Sequence, residues 1–185
     1  MQYPAALPTF HEGEVTLSPL TTQDTEPVFK LVMKNRMYLR NWLNWVDQNN
    51  AIDQTEKFVR KSLQQHTDHT GMTYTIWTNN IMIGVISFNW IDGLNKKAQI
   101  GYWIDEEFQG KGFTTTACRV LVRFGFETLQ LHRMELIIAS GNDKSSAVAK
   151  RIGFQKEATL TQAEWLNDHF TDQEIYRLLA DEWHG

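Results

Sequence analysis

Cysteine is almost absent from this sequence, with Cys118 the only one among 185 residues. A single cysteine cannot form a disulfide within the chain, so we expect a protein of a reducing compartment, the cytoplasm. No apolar run approaches the roughly 18–20 residues of a membrane helix, so we expect no membrane span. The N-terminal stretch MQYPAALPTFHEGE lacks a basic segment followed by an apolar core, so we expect no secretory signal.

An excess of basic residues is also missing. The chain has 18 Lys and Arg against 22 Asp and Glu, for a formal net charge of −4. Without a basic footprint we expect no direct nucleic-acid binding. The hydrophobic share of 42% is ordinary for a globular protein. Because no repeat or linker-like stretch divides the chain, we expect residues 1–185 to form a single domain.

The hydrophobic patterning predicts strands and helices in an irregular order. Asn79-Asn80 and Asn167-Asp168 each separate two β-rich segments and predict hairpin turns. The predicted strands lie around Val15–Leu17, Met72–Thr78, Ile81–Trp90, Lys97–Ile104, Arg133–Ala139, Phe154–Leu166 and Phe170–Leu179. The predicted helices lie over Thr22–Asn35, from Asp53 (in a capping box with Glu56), from about Thr114 with Ala117, Val120, Leu121 and Phe124 on one face, and near Ser145–Arg151. RNWLNWVDQ (40–48) is a short amphipathic segment. Antiparallel strands with helices inserted between them indicate an α+β fold.

Two glycines lie in FQGKGFTTT, after the acidic turn Asp105–Glu107 and at the start of a predicted helix. The first N–H groups of a helix have no partner within it and carry the positive end of its dipole. Glycine lets an anion approach that backbone closely, and Lys111 adds positive charge at the rim. The segment therefore predicts a site for a phosphate-bearing ligand, with an ordinary glycine-rich turn as the alternative.

Two common phosphate-binding patterns do not fit this segment. A P-loop requires G-x-x-x-x-G-K and then Ser or Thr, but Asp105 stands five residues before Gly110, and Gly112 follows the lysine. A dinucleotide fingerprint requires a third glycine three residues after the second, where this chain has Thr115. Both classes of nucleotide site are therefore excluded.

Two other spacings do fit a known pattern. The segment Gln109–Thr114 follows Q/R-x-x-G-x-G/A, except that Thr114 stands at the last position. The segment Asn142–Val148 follows N-x-x-S-x-x-V and is followed by Gly153-Phe154. In this order, with a helix and a strand between them, the two segments resemble the acetyl-CoA signature of the GNAT acetyltransferase superfamily.

Longer stretches narrow the resemblance. NWVDQ, IGVISFNWIDGLNKKAQIGYWIDEEFQGKGF and QAEWLND are similar to the Rim group of ribosomal-protein N-terminal acetyltransferases. The resemblance implies a mixed, mostly antiparallel, splayed sheet flanked by helices, with acetyl-CoA as co-substrate in the opening and no metal. It also implies a protein N-terminus as acceptor, namely the N-terminal serine of the ribosomal stalk protein, and it points to a homodimer.

The resemblance also implies the roles of individual residues. Asn142 would hydrogen-bond the pantetheine arm, and an unidentified N–H of the strand Ile100–Ile104 would polarise the thioester carbonyl. Ser145 would protonate the leaving thiolate, unless it merely caps its helix. Glu164 would take the proton of the amine, unless it is only a solvated strand residue. The pyrophosphate would be held by the backbone of Gln109, Gly110, Lys111, Gly112, Phe113, Thr114 and Thr115.

Several features leave alternatives open. Glu106 and Glu107 are rivals as the base, and Cys118 is a packed thiol or a nucleophile. His66 and His69 are three residues apart without further ligands, so we expect no metal site. Acidic residues would suit a polyamine acceptor, while an aminoglycoside, an aminoacyl-tRNA or a non-catalytic CoA-binding role also stay open. The acidic residues that would suit a polyamine are Asp47, Glu164 and Asp168. Three tryptophans would either line the acceptor groove or pack in the core, namely Trp42, Trp45 and Trp165.

Overall fold

The computed structural model describes residues 3–185, which form eight strands and five α-helices. The strands are β1 (Phe10–Glu12), β2 (Val15–Pro19), β3 (Met72–Thr78), β4 (Ile81–Asp92), β5 (Lys97–Ile104), β6 (Arg133–Ala139), β7 (Gln155–Leu166) and β8 (His169–Leu179). The helices are α1 (Thr25–Lys34), α2 (Arg36–Leu39), α3 (Ile52–Thr67), α4 (Phe113–Arg123) and α5 (Asp143–Ile152). Among these residues no helix is both long and apolar enough to cross a membrane.

All eight strands belong to one sheet, in the order β1-β2-β3-β4-β5-β6-β8-β7. Every neighbouring pair is antiparallel except β5 and β6. These two are parallel, and the chain crosses between them through α4, as parallel neighbours require. The predicted α+β class with a mostly antiparallel sheet is therefore confirmed.

The two parallel strands separate part-way along their length. The last pair between β5 and β6 is Ile100 with Leu136. Beyond it, Gly101–Ile104 of β5 stay paired with β4, and Ile137–Ala139 of β6 stay paired with β8. The sheet therefore opens between its two central strands, which is the splay that the resemblance implied.

Helix α4 covers one face of the sheet and begins at this opening. Its residues Ala117, Val120 and Leu121 are all buried, at 0–5% exposed, and Phe124 continues the same stripe. These are the four positions that the helical period of the sequence predicted for the buried face. The α4 backbone then widens into a π-helical turn at Phe124–Thr128.

Both predicted hairpin turns are confirmed. Asn79 and Asn80 have φ angles of 47° and 62°, and β3 pairs antiparallel with β4 across them. Positive φ at both central residues is what a two-residue hairpin needs, and asparagine tolerates it better than most residues. Asn167, with a φ of 63°, turns the chain between β7 and β8.

Two helix starts differ from the prediction. The N-cap of α3 is Ala51, in extended conformation, and the helix begins at Ile52, so the capping box of Asp53 with Glu56 is wrong. Asp53 lies instead in the first turn, where its charge still favours the helix dipole. The first predicted helix is a 3₁₀ turn over Thr22–Asp24 followed by α1.

Residues 40–48 form a series of turns rather than a helix. The Arg40 guanidinium donates through Nε and Nη2 to the two carboxylate oxygens of Asp47, at 3.2 and 2.9 Å. Arg36 donates to the backbone oxygens of Asp47 and Asn49 at 3.2 and 3.1 Å. These contacts fold the segment back on α2 and bring Trp42 to the opening of the sheet.

Candidate active site

The opening between β5 and β6 contains a cavity of about 1040 Å³, called here the cofactor cavity. Its walls are the facing residues Gln99–Ile104 of β5 and Leu136–Ala139 of β6. Its floor and rim come from the loop before α4 and from the first turns of α4 and α5. Both sequence segments that carry the family resemblance therefore meet in one cavity.

The loop before α4 exposes bare backbone. Gly110 and Gly112 have φ angles of 72° and 86°, which L side chains rarely adopt, and a Cβ at either position would meet no atom within 4 Å. Gly112 is the N-cap of α4 and caps it with no side chain. The first helical bond runs from Thr116 N–H to the Gly112 oxygen, so the N–H groups of Phe113–Thr115 have no acceptor four residues back within α4. These N–H groups suit a pyrophosphate.

Most predicted cofactor residues line this cavity. Lys111 lies outside the lining, with its Nζ 5.0 Å from the centroid of the Phe108 ring. The Gln109 Oε1 accepts a 2.7 Å hydrogen bond from Lys144 Nζ, which connects the loop to α5. The predicted residues in the lining are Gln109, Gly110, Gly112, Phe113, Thr114, Thr115 and Asn142.

The acidic turn after β5 is bound to α1. Asp105 is 2% exposed and accepts a 2.8 Å hydrogen bond from Lys34 Nζ, which also donates to Glu107 Oε2 at 2.6 Å. These bonds to Asp105 and Glu107 raise the pKa of Lys34. The Glu106 N–H donates to Asn35 Oδ1 at 2.9 Å. Glu107 is thus engaged by Lys34, whereas Glu106 lies at the wall of the cofactor cavity.

The first turn of α5 presents Ser145 to the cofactor cavity. Asn142 is the N-cap, and its Oδ1 accepts from the Ser145 N–H at 3.1 Å. Ser145 therefore does not cap its helix, which leaves its hydroxyl for another role. The Tyr102 hydroxyl donates to the Ser145 backbone oxygen at 3.4 Å, and burial raises the pKa of Tyr102 so that it stays protonated.

Glu164 lies on β7, outside the lining of the cofactor cavity. Its Oε2 accepts a 3.2 Å hydrogen bond from Gln173 Nε2 on β8. Gln173 is the cross-strand partner of Ala139, which belongs to the cavity wall. The pairing of β7 with β8 is irregular between Leu160 and Glu164, so the carboxylate follows directly after a bulge. Gln173 therefore lies on the strand between Glu164 and the β6 wall of the cavity.

The strand pairing narrows the choice of the N–H that would polarise a thioester. The Asp105 N–H donates to the Ile83 oxygen at 2.7 Å, so β5 residues at odd numbers bond toward β4. In an antiparallel pair the residues between them face the other way. Tyr102 and Ile104 therefore turn their N–H groups toward β6, beyond the last β5–β6 pair at Ile100.

A second cavity of about 470 Å³ adjoins the first and is called here the acceptor chamber. It lies between α1, α3 and the strands β4 and β5. Lys61 is the only charged residue in its lining, and no carboxylate of residues 3–185 belongs to it. Five residues line both cavities, namely Leu43, Asn89, Gly101, Tyr102 and Trp103. The two cavities therefore meet at the C-terminal half of β5.

The tryptophans predicted for an acceptor groove divide between three places. Trp42 lines the cofactor cavity, and Trp45 lines the acceptor chamber. Trp165 is 52% exposed and packs edge-to-face on Phe170. Cys118 is fully buried, and burial raises the pKa of its thiol, which disfavours the nucleophilic thiolate.

Several site residues escaped the sequence analysis. Tyr38 and Arg151 line the cofactor cavity, and Asn89 lines both cavities. Asn89 lies within a segment that carried the resemblance, but nothing in its spacing marked it as a site residue. Among residues 3–185 there is no cluster of three His, Cys, Asp or Glu that could hold a metal ion.

Comparison with known proteins identifies the family. The acetyltransferase (GNAT) domain family matches residues 14–155. YdaF of Bacillus subtilis is 36% identical over 172 residues, covering 92% of this chain and 94% of its own length. The ribosomal-protein-serine acetyltransferase of Escherichia coli is 34% identical over 165 residues, covering 89% of this chain and 92% of its own length.

A solved structure agrees with these matches. RimL, a ribosomal α-N-protein acetyltransferase in complex with coenzyme A, superposes with a TM-score of 0.89 at 31% identity. The match covers 92% of this chain and 97% of that one. The shared fold and the family match agree with the cofactor cavity that the two sequence segments build. The chain therefore belongs to the GNAT acetyltransferase family and is an N-acetyltransferase.

Proposed function

We propose that the protein acetylates the α-amino group of a protein N-terminus that begins with serine, with a ribosomal protein as acceptor. The observation that carries this proposal is the acceptor chamber, which joins the cofactor cavity and has no carboxylate of residues 3–185 in its lining. The names of the relatives in Escherichia coli and of RimL support a ribosomal acceptor. Such an acceptor also favours the cytoplasm as the place of action, and a homodimer stays a prediction.

The cofactor cavity fits acetyl-CoA at both of its ends. The free N–H groups at the start of α4 suit the pyrophosphate, and the N–H groups of Tyr102 and Ile104 can bond the acyl arm along β5. Asn142 is fixed by capping α5 through its Oδ1, so its amide N–H groups are what it can offer to the arm. Its predicted role thus becomes that of a donor.

The transfer moves protons at both reacting atoms. An N–C bond forms between the amine and the acetyl carbon, and the C–S bond breaks. The ammonium nitrogen gives up two protons in becoming an amide, one to the base before it attacks and one as the thiolate leaves, and the thiolate takes up one. We assign the role of proton donor to Ser145, which lines the cofactor cavity and does not cap its helix. We assign the base to Glu164, with Gln173 orienting the carboxylate and a water completing the path to the amine.

The charge of the acceptor chamber favours an α-amine over a polyamine. A polyamine keeps several ammonium groups, and buried ammonium groups require carboxylate partners. Two of the three carboxylates that would suit a polyamine are engaged elsewhere, since Asp47 is paired with Arg36 and Arg40, and Asp168 with His169. An α-amino group has a pKa of about 7.7–8.0 and becomes neutral far more easily than a lysine. One modest base such as Glu164 therefore suffices for it.

The test is acetylation of intact ribosomes. Purified protein and acetyl-CoA are incubated with ribosomes, and the added acetyl groups are located by mass spectrometry of intact proteins and peptides. We expect one acetyl group on the N-terminal amine of a serine-starting ribosomal protein. A parallel reaction contains spermidine as a competing amine. Acetylation of internal lysines alone, or of spermidine alone, contradicts the proposed acceptor and leaves the family assignment intact.

A further inference from the structure

Asn89 is the extra residue of a β-bulge at the junction of the two cavities. The pairing of β4 with β5 passes from Phe88–Ile100 directly to Trp90–Gln99, so Asn89 is left out of this ladder. A bulge re-aims the side chain of its extra residue, and bulges recur next to active sites. Asn89 lines both the cofactor cavity and the acceptor chamber.

Three neighbours hold Asn89 in place. Gln65 Nε2 of α3 donates to the Asn89 backbone oxygen at 2.9 Å, and Ser87 Oγ donates to Asn89 Oδ1 at 2.6 Å. Across the ladder from Ser87 lies Gly101, where a Cβ would come within 2.4 Å of Asn89 Nδ2. The carboxamide therefore rests on the bare Cα of Gly101, and a side chain there would displace it.

The hydrogen bonds of Asn89 decide what it can bind. The Oδ1 of Asn89 is turned to Ser87, from which it accepts, whereas its Nδ2 donates to no group among residues 3–185. The two N–H donors of Nδ2 are therefore what Asn89 has to offer a ligand. A donor matches a carbonyl or hydroxyl oxygen and does not match an ammonium group. In a peptide that begins with serine, such oxygens lie within a few bonds of the amine that reacts.

We propose that Asn89 binds the acceptor by donating a hydrogen bond from Nδ2 to an oxygen of the acceptor's first residue. The lack of a side chain at Gly101 leaves room for the Asn89 carboxamide in this position. This inference rests on the proposed function and deepens it, because it names the residue that recognises the first residue of the acceptor. The contact fixes the amine at the meeting point of the two cavities, next to β5. Such positioning lowers the entropic part of the barrier.

The first test replaces Asn89 itself. Asn89→Ala should lower kcat/KM for a serine-starting peptide by about 3- to 10-fold, the range of one neutral hydrogen bond, with little change in acetyl-CoA Kd or Tm. Asn89→Asp keeps the shape and the bond from Ser87 but loses the donors, so it should be impaired at least as much. Wild-type kcat/KM in either variant overturns the inference.

Peptides beginning with serine and with alanine identify the oxygen. A loss confined to the serine peptide assigns the contact to the hydroxyl, and an equal loss with both peptides assigns it to the first carbonyl. Both results support donation from Asn89. A loss with the alanine peptide alone contradicts it, because the two peptides share the carbonyl.

The second test uses Gly101→Ala, alone and combined with Asn89→Ala. The new methyl group meets the end of a flexible side chain, so the fold should tolerate it while the Asn89 carboxamide moves away. We expect Gly101→Ala to lower kcat/KM about as much as Asn89→Ala does, and the double variant to be no worse than either. Additive losses would show that the methyl group obstructs the acceptor directly, which overturns the proposed role of Gly101 in positioning the Asn89 carboxamide.

Different results contradict the proposed function and this inference. If the wild-type protein acetylates no peptide N-terminus, the proposed acceptor is wrong, and the same variants are assayed with the amine that wild type does use. If that acceptor contains a carbonyl or hydroxyl oxygen and Asn89→Ala lowers its turnover, the inference about Asn89 is supported. An acceptor whose only polar groups are amines overturns it.

Discussion

At the scale of single residues, Ser145 is the group whose role the structure makes easiest to test. Ser145→Ala should lower kcat by roughly 100-fold or more, the usual range for a positioned acid, and leave acetyl-CoA Kd nearly unchanged. The reason is that the backbone of Ser145, which Asn142 caps, is unaffected by loss of the hydroxyl. Steady-state kinetics and calorimetry on the same preparation measure the two quantities.

The neighbouring serine provides the matched control. Ser146 follows Ser145 on α5 but does not belong to the lining of the cofactor cavity. Its side chain lies instead beside the buried Tyr176, whose hydroxyl donates to Glu174 Oε2 at 2.9 Å. Ser146→Ala should therefore change Tm more than kcat. If the two variants lose kcat equally, Ser145 is not the acid.

Glu164→Gln tests the base, and its effect should depend on pH. The α-amine is mostly protonated below its pKa of about 7.7–8.0, so a base matters most there. The rate deficit of Glu164→Gln should therefore be largest near pH 6.5 and shrink as the pH rises above 8. Glu106→Gln is the comparison, because Glu106 is the acidic rival in the lining of the cofactor cavity. A pH-dependent deficit in Glu106→Gln alone would transfer the role to that residue.

At the scale of elements, two glycines test whether the loop before α4 binds acetyl-CoA through its backbone. Gly112→Val should weaken acetyl-CoA binding by at least about 10-fold, because its side chain would fill open space beside the first N–H groups of α4. Gly13 has a φ of 56° and, like Gly112, no neighbour near its Cβ position, but it lies in the β1–β2 turn. Gly13→Val should cost similar stability and leave acetyl-CoA Kd unchanged. Equal Kd values in the two variants would make Gly112 a purely structural glycine.

The elements that the sequence predicted well are those coded by local chemistry. The Asn79-Asn80 turn and the α4 stripe depend on φ preferences and helical period, which neighbouring residues determine. The two family segments predicted the N-terminal turns of α4 and α5, because the spacing within each segment is local as well. The mixed sheet and its splay were predicted only from the family resemblance, because strand pairing joins residues that are far apart in the chain.

Other parts of the site could not be predicted because they depend on contacts between distant elements. The bulge at Asn89 requires the register of β4 against β5 and the Gln65 side chain from α3. The turns over 40–48 require Arg36 to reach Asp47 and Asn49, which overrides the amphipathic pattern of the segment. The acceptor chamber exists only once α1 and α3 pack over β4 and β5.

At the scale of the whole molecule, the sheet consists of two halves that are joined by a short stretch of strand pairing. β1–β5 and β6–β8 meet through four residue pairs, from Lys97 with Arg133 to Ile100 with Leu136. Acetyl-CoA in the cofactor cavity would contact β5 on one side and the first turn of α5, which follows β6, on the other. Binding should therefore stabilise the protein as a unit rather than order one loop.

This coupling predicts a large thermal shift. At a concentration 100 times its Kd, a ligand that binds only the folded state adds about 2.7 kcal/mol. For a chain of this size, each kcal/mol raises Tm by about 2–4 °C, so acetyl-CoA should raise Tm by about 5–11 °C. Hydrogen exchange should slow most at the N–H groups of Tyr102 and Ile104, which face the opening, and less in β3. Gly112→Val should lose the shift at the same ligand concentration while Gly13→Val keeps it. A full shift in Gly112→Val would mean that acetyl-CoA binds away from the start of α4.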